Sequence, residues 1–166
     1  MTNLTIRPAT ADDIPELLAF IRELAAYERV PDAAQATHAD LLRDGFGPNP
    51  SFHALIAEVA PDDAIPQPAG LALYFHNYST WRGHTGIFLE DLFVRPTFRK
   101  RGIGKALIAS VAAIAVTEGC SRFEWAVLNW NTPSIDFYRS LGAQPLSDWT
   151  TMRLTGAPLS ALAAHR

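Results

Sequence analysis

Cysteine is nearly absent from this 166-residue chain: Cys120 stands alone, which excludes an internal disulfide framework and leaves no cluster of thiols for zinc. Its place between a helical and a strand-like segment suits a small buried apolar residue, and no metal site is expected. Long apolar runs are lacking too. Nothing reaches the ~18 consecutive apolar residues of a membrane span, and the first residues lack the basic and apolar blocks of a secretion signal. The expected setting is cytoplasmic, with no membrane partner. Positive charge is not in excess: 14 Lys and Arg against 17 Asp and Glu give a net charge of −3, which argues against nucleic acid as a partner. Repeats and low-complexity blocks are missing. What remains, 48% hydrophobic and 19% charged, is the balance of a globular protein, and the length fits one domain over residues 1–166 with an ordinary core.

The hydrophobic periodicity alternates between strand and helix. Residues 4–7 read as a short strand. Thr10 and Asp13 form a capping-box-like start for a helix carrying Ile14, Leu17, Leu18, Ile21, Leu24 and Ala25, closed by Pro31. A second helix is predicted over 37–45, then strands over 52–59, 69–78 and 86–94, with a proline-rich loop at 61–68. A helix over 103–117 follows, a strand over 122–128, a helix opening at Asn131 and stopped by Gly142, and a last strand over 152–154. The tail, 156–166, is helical or loose. The fold class is α/β: a mixed, mostly antiparallel sheet with helices on both faces, in the order β-α-α-β-β-β-α-β-α-β.

Between the strand ending at Val94 and the helix starting at Ile103 lies the most unusual stretch, Arg99, Lys100, Arg101, Gly102, Ile103 and Gly104. A helix N-terminus already carries about +0.5 of an elementary charge and unpaired N–H groups, so three cations there are locally unfavourable. The site suits an anion from outside. Two glycines let a phosphate approach the backbone. A P-loop is excluded, because Arg99 stands where its first glycine belongs and Ala106 where its hydroxyl belongs. A dinucleotide fingerprint is excluded by Leu107 at its last small position. The remaining pattern, Arg-x-x-Gly-x-Gly, reads as a phosphate cradle, as for a nucleotide-bearing cofactor.

Two other features break their local pattern. Glu90 and Asp91 interrupt an apolar strand, and alternation must aim one of them at the core or a cleft. A buried carboxylate is costly unless paired or functional. Tyr138 falls on the helix opened by Asn131 and Ser134. Residues 89–94, 98–104 and 128–143, in that order, resemble the GNAT superfamily of N-acetyltransferases, and within it the branch of the diamine (spermidine/spermine) and thialysine enzymes. Residues 6–10, Tyr27, Glu28 and 44–47 extend the likeness, which covers about 4–154.

The resemblance implies a GNAT-like single domain that transfers acetyl from acetyl-CoA to an amine by direct attack, as a homodimer. It implies that Leu92, Phe93 and Val94 border the pantetheine arm, and that backbone groups from Lys100 to Lys105 (with Arg99, Arg101, Gly102, Ile103 and Gly104) hold the diphosphate. Asn131 and Ser134 would line the cofactor's exit. Glu90, assisted by Asp91, would be the base, and Tyr138 the acid that protonates the leaving thiolate. Tyr27, Glu28, Trp81 and Glu90 would receive a small cationic amine. The chain departs from polyamine-specific relatives at Ser79 and over 148–152, where expected carboxylates are missing. An amino acid, diamine or lysine analogue is therefore the expected acceptor. A protein lysine or N-terminal acetyltransferase and a non-catalytic CoA-binding module are the alternatives.

Overall fold

The computed structural model describes residues 3–60 and 65–165. Its contacts group the chain into two compact units, Met1–Ala126 and Val127–Arg166. The first holds a five-stranded sheet in sequence order: β1 (Asn3–Pro8), β2 (His53–Ala60), β3 (Gln67–Ser79), β4 (His84–Val94) and β5 (Phe123–Trp125). The pairings β1–β2, β2–β3 and β3–β4 are antiparallel, and β4–β5 is parallel. Parallel pairing needs a long crossover, and α3 (Ile103–Thr117) supplies it.

α1 (Ile14–Tyr27) and α2 (His38–Phe46) cover one face. The Thr10 N–H donates to Asp13 Oδ2 at 2.7 Å, closing the predicted box around a 3-10 turn that precedes α1. Asp13 also receives two hydrogen bonds from Arg7, which hold its carboxyl down to about 2 and tie β1 to the helix start. At α2 the exchange is reciprocal: Thr37 N–H donates to Asp40, and Asp40 N–H to Thr37. The apolar stripe of α1 (Ile14, Leu17, Leu18, Phe20) packs on Ala54, Ile56, Leu71, Leu73 and Phe93. Phe20 is fully buried, edge-on to Phe93 at 6.2 Å, with the Arg95 guanidinium 4.5 Å above its ring.

The alternate residues of the strands (Leu55, Ala57, Val59, Ala72) are also buried and face α3 on the opposite side. A Cβ on Gly70 would meet Leu107 of α3 and the Phe93 carbonyl, so a bare backbone is required for the helix to lie that close. Helices thus lie on both faces, as expected. No helix of the described residues is long and apolar enough to cross a membrane.

The second unit contains α4 (Thr132–Ser140) and α5 (Gly156–Ala163). Asn131 caps α4 by accepting from the Ser134 N–H, and Gly142, at φ +91°, ends it. Two expectations need correction. Residues 152–154 form no strand, and Met152 is 86% exposed: three residues with two apolar side chains build no ladder without an edge to pair with. The strand predicted over 122–128 shrinks to Phe123–Trp125. The tail is helical over Gly156–Ala163. The loop predicted over 61–68 falls partly outside the described residues (61–64), and its end, from Gln67, is already β3.

Candidate active site

The site grows from an irregularity in β4. Leu73 of β3 faces Asp91, yet its neighbour Tyr74 faces Leu89, so Glu90 is an extra residue with no cross-strand partner. A one-residue bulge inverts the alternation of a strand. Before it, Leu89 shares the α3 face with Tyr74. After it, Asp91 and Phe93 share the α1 face with Leu73 and Leu71. Glu90 stays exposed while Asp91 is turned inward and mostly buried. Burial, then the charge of Glu90, then that of Glu28 push the Asp91 carboxyl up to about 6.

Glu28 reaches this region from the end of α1. The helix stops in a Schellman-type turn: the Val30 N–H donates to Ala25 O at 2.9 Å and the Arg29 N–H to Ala26 O at 3.1 Å, with Arg29 at φ +67°. That turn leaves Glu28 as the half-buried capping residue, and burial raises its pKa. Two carboxyls of raised pKa and Glu90 therefore gather at the negative pole of α1. Such a place attracts cations.

The opposite demand arises at the start of α3. Lys100 and Gly102 both adopt left-handed backbone, at φ +63° and +78°, and the first helical bond is Ala106 N–H to Gly102 O at 2.9 Å. The N–H groups of Gly102 to Lys105 precede that bond and have no intrahelical acceptor. No side chain caps them. A Cβ on Gly102 would point into open space, and among the described residues no carboxylate pairs with Lys100, Arg101 or Lys105. An uncapped helix start flanked by uncompensated cations is an anion site. Arg99 behaves differently from its neighbours. Its Nε donates to Val94 O at 2.9 Å, and its guanidinium lies over Tyr27 at 4.9 Å and over Phe93 at 5.7 Å. It bolts the cradle to the end of α1 and to β4, joining the anion-seeking and cation-seeking ends of the site.

Between them runs a bare strand edge. β5 pairs with β4 only from Ile87 to Leu89, so among the described residues Glu90 to Val94 have no strand partner on that side. An extended ligand arm can hydrogen-bond there as an added strand. With this edge, an uncapped cationic helix start and a group of carboxyls in one unit, comparison with known proteins decides the class. Residues 17–143 match the profile of the acetyltransferase (GNAT) family. The chain belongs to the GNAT family.

Relatives of this GNAT chain include the thialysine N-epsilon-acetyltransferase of Sus scrofa, 42% identical over 98% of this chain and 99% of that protein. The L-ornithine N5-acetyltransferase NATA1 of Arabidopsis thaliana is 31% identical over 95% of this chain and 86% of that one. Among solved structures, the integron cassette protein VCH_CASS6 from the mobile metagenome of V. cholerae superposes with a TM-score of 0.78 at 26% identity, covering 96% of this chain and 97% of that one. The GNAT chain is accordingly an acetyl-CoA-dependent N-acetyltransferase.

The structure brings together Tyr27, Glu28, Glu90, Asp91, Leu92, Phe93, Val94 and Arg99 around the bulge, with 100–105 continuing into the cradle. It does not bring Trp81 to them. Trp81 sits at the tip of the β3–β4 hairpin, 89% exposed, before β4 begins at His84, and His84 is itself seven residues from Asp91, or roughly 24 Å at the rise of an extended strand. Asn131, Ser134 and Tyr138 belong to the second unit, where Asn131 is buried and the Tyr138 ring stands 5.4 Å from Phe137.

Proposed function

We propose that this GNAT enzyme acetylates the primary amine of a small cationic molecule, a lysine- or ornithine-like amino acid or a short diamine. The acidic group at the end of α1 carries this reading. Glu28, Glu90 and Asp91 at a helix C-terminus attract an ammonium group, and the names of the relatives from Sus scrofa and Arabidopsis point to acceptors of that size and charge. Tyr27 adds an aromatic face that attracts cations. Trp81 enters the same reading only as a contributor from the hairpin tip.

In this reading the amide groups of 100–105, with Lys100, Arg101 and Lys105, hold the diphosphate of acetyl-CoA. Leu92, Phe93 and Val94 present the free edge to its pantetheine arm, and an N–H near Leu92 or Phe93 polarises the thioester carbonyl. Asn131 and Ser134 line the cofactor's exit. The arriving ammonium, with a reference pKa near 10.4, must lose a proton before its nitrogen attacks the carbonyl carbon. An ordinary aspartate lies about 6.6 pK units below that ammonium and cannot hold its proton for long. Asp91 at about 6 narrows the gap to about 4.4 units. Asp91 thus takes the role of base that the resemblance gave to Glu90, and passes the proton on to solvent with exposed Glu90 as the outlet. As the new C–N bond forms and the C–S bond breaks, Tyr138 gives its phenolic proton to the thiolate, and the second proton lost by the acylated nitrogen restores the phenol.

The chain acts as one domain over 1–166, in the cytoplasm and as a homodimer; nucleic acid, a membrane and a metal have no part in the reaction. The family match from 17 to 143 runs across both compact units, which favours the single domain. The test is release of free thiol from acetyl-CoA with a panel of lysine, thialysine, ornithine, putrescine and spermidine. Turnover is expected with the amino acids or the short diamine at kcat/KM at least ten times that for spermidine. Release that does not depend on any amine would refute the reading.

A further inference from the structure

The far end of α3 gathers a second set of reactive side chains that acetyl transfer does not use. The helix ends in a Schellman motif: Gly119 at φ +69° lets its own N–H donate to Val116 O at 3.2 Å and the Cys120 N–H to Ala115 O at 2.8 Å. That fixed turn places Glu118 and Cys120 on either side of Gly119. Across from them, the α3-facing row of the sheet ends in His53, Tyr74 and His76, whose rings pack on one another at 5.5–6.4 Å. His76 Nε2 lies 2.6 Å from Glu118 Oε2, and Thr85 Oγ1 lies 3.7 Å from Cys120 Sγ. One ligand atom each from His76, Glu118 and Cys120 falls within 4.8 Å of the other two.

We propose that His76, Glu118 and Cys120 bind one divalent transition-metal ion of the zinc class, with solvent as the fourth ligand. An imidazole nitrogen, a carboxylate oxygen and a thiolate form a mixed donor set that suits a borderline-soft ion and rejects magnesium or calcium. Bonds of 2.0–2.3 Å in tetrahedral geometry put ligand atoms about 3.3–3.8 Å apart. The His76–Glu118 contact must open by about an ångström and the thiol close by a similar amount. Side-chain rotation suffices, because His76 and Glu118 are 36% and 45% exposed. The Cys120 thiol releases its proton to solvent as its sulfur binds the ion. Three ligands from β3 and from the turn leading to β5 clamp the C-terminal end of α3 to the sheet. The cradle lies at the opposite end of the 15-residue helix, roughly 22 Å away, so the ion braces the fold and leaves the reaction untouched. Sequence spacing gave no hint of this set, because its members are 42 and 2 residues apart and meet only through the fold.

The experiment uses the tag-free, reduced, chelator-treated chain titrated with cobalt(II), followed by competition with zinc. One equivalent is expected to produce a thiolate-to-cobalt charge-transfer band in the near ultraviolet, which zinc abolishes. Zinc at about a hundred times its Kd is expected to raise Tm by roughly 5–10 °C. Cys120→Ser should remove the band, and His76→Ala should weaken binding at least tenfold, with far-ultraviolet circular dichroism unchanged in both. Glu118→Gln offers a milder check, weakening the site while keeping its shape. No band, an equal affinity in His76→Ala, or uptake of several ions only at millimolar metal would overturn the proposal.

Discussion

Replacing Asp91 by Asn should make the protein more stable and less active, and the gain should depend on pH. The Asp91 carboxyl sits at about 6 in the fold against 3.8 when unperturbed. A carboxyl whose pKa is raised by folding binds its proton more tightly in the native state. Its contribution therefore favours folding below about pH 4, fades as pH rises through 6, and is lost above that. The shift of about 2.2 units corresponds to about 3 kcal/mol at pH 8, taken as an upper bound. Asn reproduces the protonated side chain without the charge that Glu90 and Glu28 oppose. Asp91→Asn should thus gain about 1–3 kcal/mol at pH 8, or roughly 3–10 °C in Tm for a chain of this size, and almost nothing at pH 4. The assay is thermal unfolding of both proteins, free of CoA, across pH 4–8. A variant less stable than the parent at pH 8, or a difference that ignores pH, would refute the reasoning. Activity should move the other way, with kcat/KM for the amine falling at least tenfold.

Further perturbations test separate parts of the site. In the parent enzyme, kcat/KM should fall as pH drops through about 6, because Asp91 then holds its proton; Glu28→Gln removes one repelling charge and should shift that midpoint to lower pH. Gly102→Val forces a branched side chain to φ +78° beside the cradle; the fold should lose about 1–2 kcal/mol, and the rise of Tm with added CoA should disappear. Tyr138→Phe should lower kcat about 10²-fold while KM for acetyl-CoA stays within threefold, as single-turnover and steady-state rates would show. Arg95→Ala deserts Glu16 and Glu23, which it contacts at 2.6 and 2.8 Å, and uncovers Phe20; urea unfolding should register a loss of about 1–3 kcal/mol.

Sequence patterns located most of this molecule because most of it obeys short-range rules. The capping box at Thr10, the α1 stripe from Ile14 and the glycine-broken start of α3 all depend on neighbours three or four residues away. What escaped depends on pairing across the sheet. The presence of Glu90 and Asp91 in an apolar strand marked a functional break, but nothing in one strand shows that Glu90 is the unpaired residue of a bulge. Asp91 therefore emerges as the buried carboxyl, where alternation alone left either choice open. Arg99 likewise looked like one of three equivalent cations until Tyr27 and Val94 O were found beneath it. The strand expected over 152–154 failed for the opposite reason: local alternation is present, but the described residues offer it no ladder.

The central claim is that the uncapped start of α3 seats the diphosphate of acetyl-CoA and lays its thioester along the free edge of β4. A crystal structure of the complex with CoA tests this most directly. Diphosphate oxygens should lie about 2.8–3.2 Å from the N–H groups of residues 101–105, with the pantetheine arm hydrogen-bonded to the backbone between Glu90 and Val94. Density for the diphosphate anywhere else, with the start of α3 facing only water, would contradict the account.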